Sequence, residues 1–217
     1  MTPSSLDVLP VNRLSEFDTD ERREKRFTFR EYIQMAEAGI LKDNPRTELI
    51  RGEIQVMLPI GFPHGVCIMR FNSLLFRHLS LDRWCVISQS TVELDDENAP
   101  EPDIVIVKGS HLEHQESFLT KHGCVHVIEV ADTSLRRDCG LKVSVYAEQG
   151  IPNYWIVNLV DRRIEHFFGP VSVSNLSSFG YEKRLVYGEH DPVRMKFDGE
   201  PDLTFTPADI LPTPPKT

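Results

Sequence analysis

The sequence predicts a mixed α/β fold, a central sheet with helices packed against its faces. Three observations point to it. Apolar residues recur at helical spacing in one stretch, Val66, Ile68, Met69, Phe71, Leu74, Leu75 and Leu79. Short β-branched runs follow, Ile104 to Val107 and Val125 to Val130, too continuous in their apolarity for strands with one wet face. A helix-type segment then lies between the second of these and the apolar run Asn153 to Val160, an order suited to helices crossing over a sheet.

The elements can be taken in order. Met1 to Arg26 is polar and without periodicity, and reads as a flexible arm ahead of one domain over residues 27–210. Thr28 and Glu31 form a capping box for a first helix through Tyr32, Ile33, Met35 and Ala36, with Gly39 as its stop. Thr47 to Leu58 alternates around Arg51-Gly52 and predicts a hairpin, and His64 to Leu79 is the second helix. Trp84 to Leu94 reads as a strand. Thr133 or Ser134 can cap a third helix that runs unbroken to Glu148 and stops at Gly150. After Asn153 to Val160, Asp161-Arg162 turns the chain into a strand over Ile164 to Phe168. Short strand-like pieces separated by turns follow Gly169, and a Pro-rich tail occupies residues 211–217.

The chain has 217 residues, enough for one ordinary core. Its 24 Lys and Arg against 33 Asp and Glu leave a net charge of −9, which excludes an electrostatic grip on nucleic acid over the whole surface. A local patch exists at Arg22, Arg23, Lys25, Arg26 and Arg30, interleaved with Glu21 and Glu24 in the manner of a solvated helix face. No apolar run has the roughly 20 residues of a membrane span, and the N-terminus lacks the pattern of a secretory signal. Cys67, Cys85, Cys124 and Cys139 form no CxxC pair and read as thiols, which suits the cytoplasm.

The chemistry lies in four residues: Glu48, Asp103, Glu129 and Lys142. Asp103 stands where a loop enters an apolar strand. Glu129 interrupts Val125-His126-Val127-Ile128-Glu129-Val130-Ala131, and a carboxylate there needs a cation, a strong donor or a raised pKa. Asp138, Lys142 and Tyr146, spaced i, i+4, i+8, share a helix face directed at the sheet edge. A lysine aimed at carboxylates serves an ion-pair network. It also serves phosphodiester hydrolysis, in which carboxylate oxygens hold Mg²⁺ and a lysine orients water or offsets charge. His64, just ahead of the second helix, is a candidate phosphate contact or supporting group. His111-Leu-Glu-His114, with His122, Cys124 and His126 downstream, could be assembled into a zinc site, but lacks the tight, regular ligand pairs of structural zinc. The acidic run Glu93, Asp95, Asp96, Glu97 and Glu101 reads as a solvated loop.

Several segments together resemble a known family: Thr-Glu-Leu-Ile-Arg-Gly-Glu from Thr47, Pro63-His64, Glu-Pro-Asp-Ile-Val-Ile-Val from Glu101, Val-Ile-Glu-Val-Ala-Asp-Thr-Ser-Leu-Arg-Arg-Asp from Val127, then Lys142, Tyr146 and Gly-Ile-Pro-Asn-Tyr-Trp-Ile-Val from Gly150. They are similar to the Uma-type putative restriction endonuclease family within the PD-(D/E)XK nuclease superfamily, over about Phe27 to Phe168. The resemblance implies a restriction-endonuclease-like α/β core with a mixed central sheet flanked by helices, to which this chain adds C-terminal strands. It further implies a Mg²⁺-dependent endonuclease acting on DNA, with Mn²⁺ as a substitute. Asp103 and Glu129 would be the metal ligands and Glu48 an assisting acid, with His64, Asp138 and Tyr146 behind them. The superfamily lysine stands two residues after the second acid, where this chain has Ala131, so the resemblance transfers its role to Lys142. A homodimer would supply one site per strand. The competing expectation is a nucleic-acid or protein-binding module that keeps the fold without turnover.

Overall fold

The computed structural model of the chain describes residues 24–43, 46–114, 118–173 and 178–213. The arm up to residue 23, with Arg22 and Arg23 of the basic patch, and the last four residues of the Pro-rich tail lie outside them. In the rest of the patch, Lys25 pairs with Glu31 at 2.8 Å and Arg26 donates to the Arg51 carbonyl.

Helix α1, Phe29–Glu37, begins with the expected reciprocal cap: Glu31 N donates to Thr28 Oγ1 at 3.3 Å and Thr28 N to Glu31 Oε2 at 2.9 Å. Its buried Tyr32 donates to the Thr47 carbonyl at 2.7 Å and ties the helix to strand β1, Thr47–Ile50. A two-residue turn at Arg51 and Gly52, both at positive φ (51° and 74°), returns the chain as β2, Glu53–Val56. The alternation read from the sequence does not translate into one wet face. All four β1 residues are buried, because the hairpin leans its Leu49 face on α1 and presents Glu48 and Ile50 to the main body.

Helix α2, Phe62–His78, buries Cys67, Ile68, Phe71 and Leu75. Strand β3, Trp84–Ser88, stops at Gln89, whose φ of +52° breaks the single strand expected to Leu94; Val92–Glu93 forms a separate β4. Strands β5 (Ile104–Lys108), β6 (Leu119–Thr120) and β7 (Cys124–Ala131) follow. A helical crossover, α3 (Leu135–Arg137), a π-helical turn (Asp138–Lys142) and α4 (Val143–Glu148), leads to β8, Asn153–Asn158. Beyond it the expectation of short pieces is corrected. Strand β9 runs from Arg163 to Val173, through Gly169 at φ +72° and Pro170, and pairs with β10, Ser178–Tyr187, which is one residue shorter. Gly169 takes a backbone conformation most residues avoid, and the pairing with β10 continues in one register on both sides of it. Strands β11 (Val193–Met195) and β12 (Leu203–Phe205) and the short α5 (Pro207–Ile210) complete the described chain.

The central sheet has the order β10-β9-β8-β7-β5-β3, with β7 and β8 parallel and the other pairs antiparallel. The parallel pair requires the crossover helix, and both faces of the sheet are covered. Ile104, Ile106, Ile128, Val130, Trp155 and Val157 pack under α2 and the C-terminal elements, while Val105, Val127, Ala131, Tyr154 and Ile156 pack under the crossover. Glu129 points into this second layer, between Val127 and Ala131 on the same face.

The first layer holds a buried histidine pair. Trp155 Nε1 donates to His126 Nδ1 at 3.0 Å, so the His126 proton sits on Nε2, which donates to the Lys196 carbonyl at 3.0 Å. His166 stacks on Trp155 at 3.5 Å. Burial pulls His126 down to about 4 and His166 down to about 3. The unfolded chain takes up these protons near pH ~6.5 and the native state refuses them. Their contribution to stability is therefore complete above that pH and is lost as pH falls through it toward 4. Urea unfolding at pH 5 should show a loss of about 2 kcal/mol from His126 alone relative to pH 7.5, and His126→Phe should flatten that dependence. Because the raised carboxyl of Glu129 works in the opposite direction over the same range, the comparison is with the variant, and a pH dependence unchanged in His126→Phe would refute the assignment.

Candidate active site

The crossover, β7, the start of β5, the β1 hairpin and the N-terminus of α2 meet at one end of the sheet. They surround a cleft of about 830 Å³ whose lining includes His64, Asp103, Glu129, Arg137, Asp138 and Lys142. Segments from residue 46 to residue 142 thus deliver their polar groups to one place. Parallel strands β7 and β8 both run toward this end, and the loop leaving β7 has to cross it.

Glu129, 4% exposed, is satisfied in the ways its apolar strand demands. Lys142 Nζ donates to its Oε1 at 2.8 Å and Tyr146 OH to the same oxygen at 2.9 Å. Burial pushes its carboxyl up to about 8 against the pull of Lys142, with Asp138, Asp103 and Glu48 pushing the same way. Lys142 is 1% exposed and lies 3.1 Å from Glu48 Oε2 as well. Burial alone would pull it down, and the carboxylates of Glu129, Glu48 and Asp138 reverse this, holding its ammonium above the ordinary lysine range. Glu48, on β1, also accepts from Glu101 N at 3.4 Å, while its buried Oε1 has no hydrogen-bond partner.

Asp103, at the mouth of β5, accepts through Oδ2 from Val130 N at 2.8 Å, and His64 Nε2 lies 3.0 Å from the same oxygen. The bond from Val130 clamps the loop before β5 to β7 and fixes Asp103 beside Glu129; the close contact with His64 accounts for the place of that residue on the first turn of α2. Asp138 is buried, accepts from Ser134 Oγ at 2.5 Å and leaves its buried Oδ1 without a partner. Burial raises its carboxyl as well. The expected unbroken helix is corrected here. Ser134 spends its hydroxyl on Asp138 instead of capping the backbone, and the turn from Asp138 to Lys142 is π-helical, one residue wider than an α-turn. Asp138 and Lys142 therefore do not share the regular four-residue repeat, yet both side chains end buried at the cleft.

All seven residues picked from the sequence gather in this region. Sequence reading missed Arg46, Arg136 and Arg137, which line the same cleft. The Leu-Arg-Arg-Asp segment carried the signal, but arginine in a polar stretch looks like any solvated cation. Of the acidic run, Asp96 and Glu97 are exposed as expected. Asp95 instead accepts from Asn98 and Gln149, and Glu101 from Arg46. Three members of the zinc grouping point elsewhere: His114 Nε2 to the Lys108 carbonyl, Cys124 to the Thr120 carbonyl and His126 to Trp155 and the Lys196 carbonyl.

Among the described residues no three His, Cys, Asp or Glu side chains converge on one metal position. The donor set nonetheless fits Mg²⁺. Asp103 and Glu129 both line the cleft, and within the described residues Oδ1 of the first and Oε2 of the second make no hydrogen bond. Two hard carboxylate oxygens are what this ion usually takes from a protein, with water and substrate phosphate completing its shell.

The Uma2 family, described as a putative restriction endonuclease, matches residues 29–190. The chain belongs to this family. The Uma2 match spans every residue of the cluster from Glu48 to Tyr146 and leaves β11, β12 and α5 outside. No curated protein sequence matches the chain. Among solved structures it resembles the crystal structure of a putative nuclease belonging to DUF820 from Anabaena variabilis ATCC 29413, with a TM-score of 0.56, 12% identity, and coverage of 76% of this chain and 89% of that one. The likeness establishes a shared nuclease-like α/β fold.

One consequence of the geometry is directly measurable. Tyr146→Phe removes a buried donor to Glu129 and keeps the ring in place. Stability should fall by about 1–2 kcal/mol, read by chemical denaturation. No loss would show that Lys142 alone satisfies Glu129.

Proposed function

We propose that the chain is a metal-dependent endonuclease that hydrolyses DNA phosphodiester bonds. The observation that carries this reading is that Asp103 and Glu129 line one cleft and each keeps one oxygen without a hydrogen bond among the described residues, the other oxygen being held by protein donors. Mg²⁺, or Mn²⁺ in its place, would be held by these two oxygens and would supply Lewis-acid stabilisation and a more acidic water.

The chain's own groups have separable tasks. His64 and Val130 N hold Asp103 in orientation. Lys142 and Tyr146 do the same for Glu129, and Lys142 positions the attacking water from the side of that carboxylate. Glu48 keeps the lysine charged and in place, and Asp138 adds to that field. The domain at work is residues 27–210. We infer a homodimer, because cutting a duplex takes one site for each strand, and a cytoplasmic setting, where the buried thiols Cys67, Cys85 and Cys124 stay reduced.

The test is incubation of purified protein with supercoiled plasmid in Mg²⁺, Mn²⁺ or EDTA. Nicking in either metal, absent in EDTA and absent in Asp103→Asn, is the expected result. DNA binding with no nicking in any metal would leave a binding module that has kept the fold.

A further inference from the structure

We propose that Arg137 is the side chain that takes the charge of the substrate phosphodiester in this cleft. The proposal rests on the nuclease reading above and gives it a substrate-binding residue distinct from Lys142.

The cations of the cleft differ in how far they are already committed. Lys142 is spent on Glu129 and Glu48 and is almost wholly out of contact with solvent. Arg46 gives both Nε (3.1 Å) and a terminal nitrogen (2.6 Å) to Glu101. Arg136 is exposed, and no bond of its side chain to a described residue holds it at a fixed place. Arg137 differs from all three. Its side chain is 29% exposed, and it lies one residue before the π-helical turn that carries Asp138 and Lys142. Its contacts to Glu48 Oε1 and Gln55 Oε1 are both 3.5 Å, at the outer limit of a hydrogen bond. Its Nε is buried and has no hydrogen-bond partner among the described residues.

A guanidinium held this loosely is unusual, because a buried donor without an acceptor costs about 1–3 kcal/mol. Glu48 supplies charge balance without supplying the hydrogen bonds. A phosphodiester fits what is missing, since its two non-bridging oxygens match the planar fork of an arginine and its charge sits best opposite a cation that cannot lose its proton. Arg137 lines the same cleft as Asp103 and Glu129, each of which has an oxygen without a hydrogen bond among the described residues. Lys142 would then act on chemistry and Arg137 on substrate capture, and the two substitutions should give different signatures.

The experiment measures binding of a short duplex oligonucleotide by fluorescence anisotropy over a range of KCl, once in EDTA and once with Ca²⁺, with plasmid nicking in Mg²⁺ run in parallel. Arg137→Met should weaken binding about 10- to 100-fold and lower the slope of log affinity against log salt by about one. Arg137→Lys should keep the slope, because the charge remains, and lose about 3-fold or more in affinity, because the fork is gone. Arg194→Met removes one exposed cation on β11, away from the cleft, and should change neither by comparable amounts. Should Arg137→Met fail to fold, Arg137→Lys decides by itself, since it retains the counter-charge to Glu48. Wild-type affinity in Arg137→Lys, wild-type affinity and slope in Arg137→Met, or a wild type that binds no duplex in either condition overturns the proposal. The nuclease reading fails separately: if the wild type never nicks while Arg137→Met still lowers the salt slope, Arg137 stands as a nucleic-acid contact and the catalytic assignment falls.

Discussion

Lys142→Met should lower nicking by about 10²- to 10⁴-fold and leave the affinity for DNA within a few-fold of wild type. Its amino group lies against Glu129 and Glu48, inside the wall of the cleft, so its loss should be felt by the reaction more than by a bound phosphate backbone. The same substitution should cost stability. Sequence alone suggests that the methionine stem would keep the fold intact, but a lysine buried between two buried glutamates is one partner of an ion pair whose breakage costs about 3–5 kcal/mol. The cost should grow with pH. Without the ammonium, Glu129 rises further above its ordinary value, so the variant is least destabilised where Glu129 can keep a proton and loses stability as pH climbs through the raised folded value. Denaturation at pH 6 and pH 8.5 measures this, and Lys142→Met combined with Glu48→Gln should recover part of the loss. A variant as stable as wild type at pH 8.5, or one that nicks at the wild-type rate, would remove Lys142 from the centre of the site.

Glu129→Gln tests the metal. Wild-type protein should melt at a higher temperature in millimolar Mg²⁺ or Mn²⁺ than in EDTA, since the ion would bind only the folded arrangement; at a hundred times its dissociation constant the gain is about 2.7 kcal/mol. The glutamine variant should lose that gain and bind either ion more weakly in a calorimetric titration. Nicking should fall by about 10³-fold, which corresponds to the several kcal/mol that a correctly held metal contributes to the transition state. An unchanged titration in the variant would take Glu129 out of the ligand set. If no metal moves the wild-type melting temperature, the whole carboxylate pair is a structural cluster.

How much of this was legible beforehand depends on the range over which each interaction acts. Local signals held: the Thr28-Glu31 box starts α1, the Arg51-Gly52 turn makes the hairpin, and the apolar runs at Ile104 and Val125 are strands buried on both faces. Glu129 stood out because a carboxylate inside an apolar strand has to be answered by something. Its answer, Lys142 with Tyr146, lies on the next helix and so within reach of a spacing argument. The sequence by itself therefore determined the mixed sheet, its crossover and the chemical character of the site.

Tertiary structure decided what depends on contacts between distant segments. The long β9–β10 ribbon crosses Gly169 and Pro170, two residues that locally argue for a stop, because the pairing on either side outweighs them. The π-helical turn at Asp138–Lys142 has no local cue, since its extra residue is accommodated only once Asp138 and Lys142 are both buried against the sheet. The clamp from Val130 N to Asp103, the reach of His64 from α2 and the loosely held guanidinium of Arg137 all join residues tens of positions apart. A sequence lists which groups are charged; only packing sets which are paired and which are left free for a ligand, because desolvation and distance, not residue type, decide how strongly a charge is held.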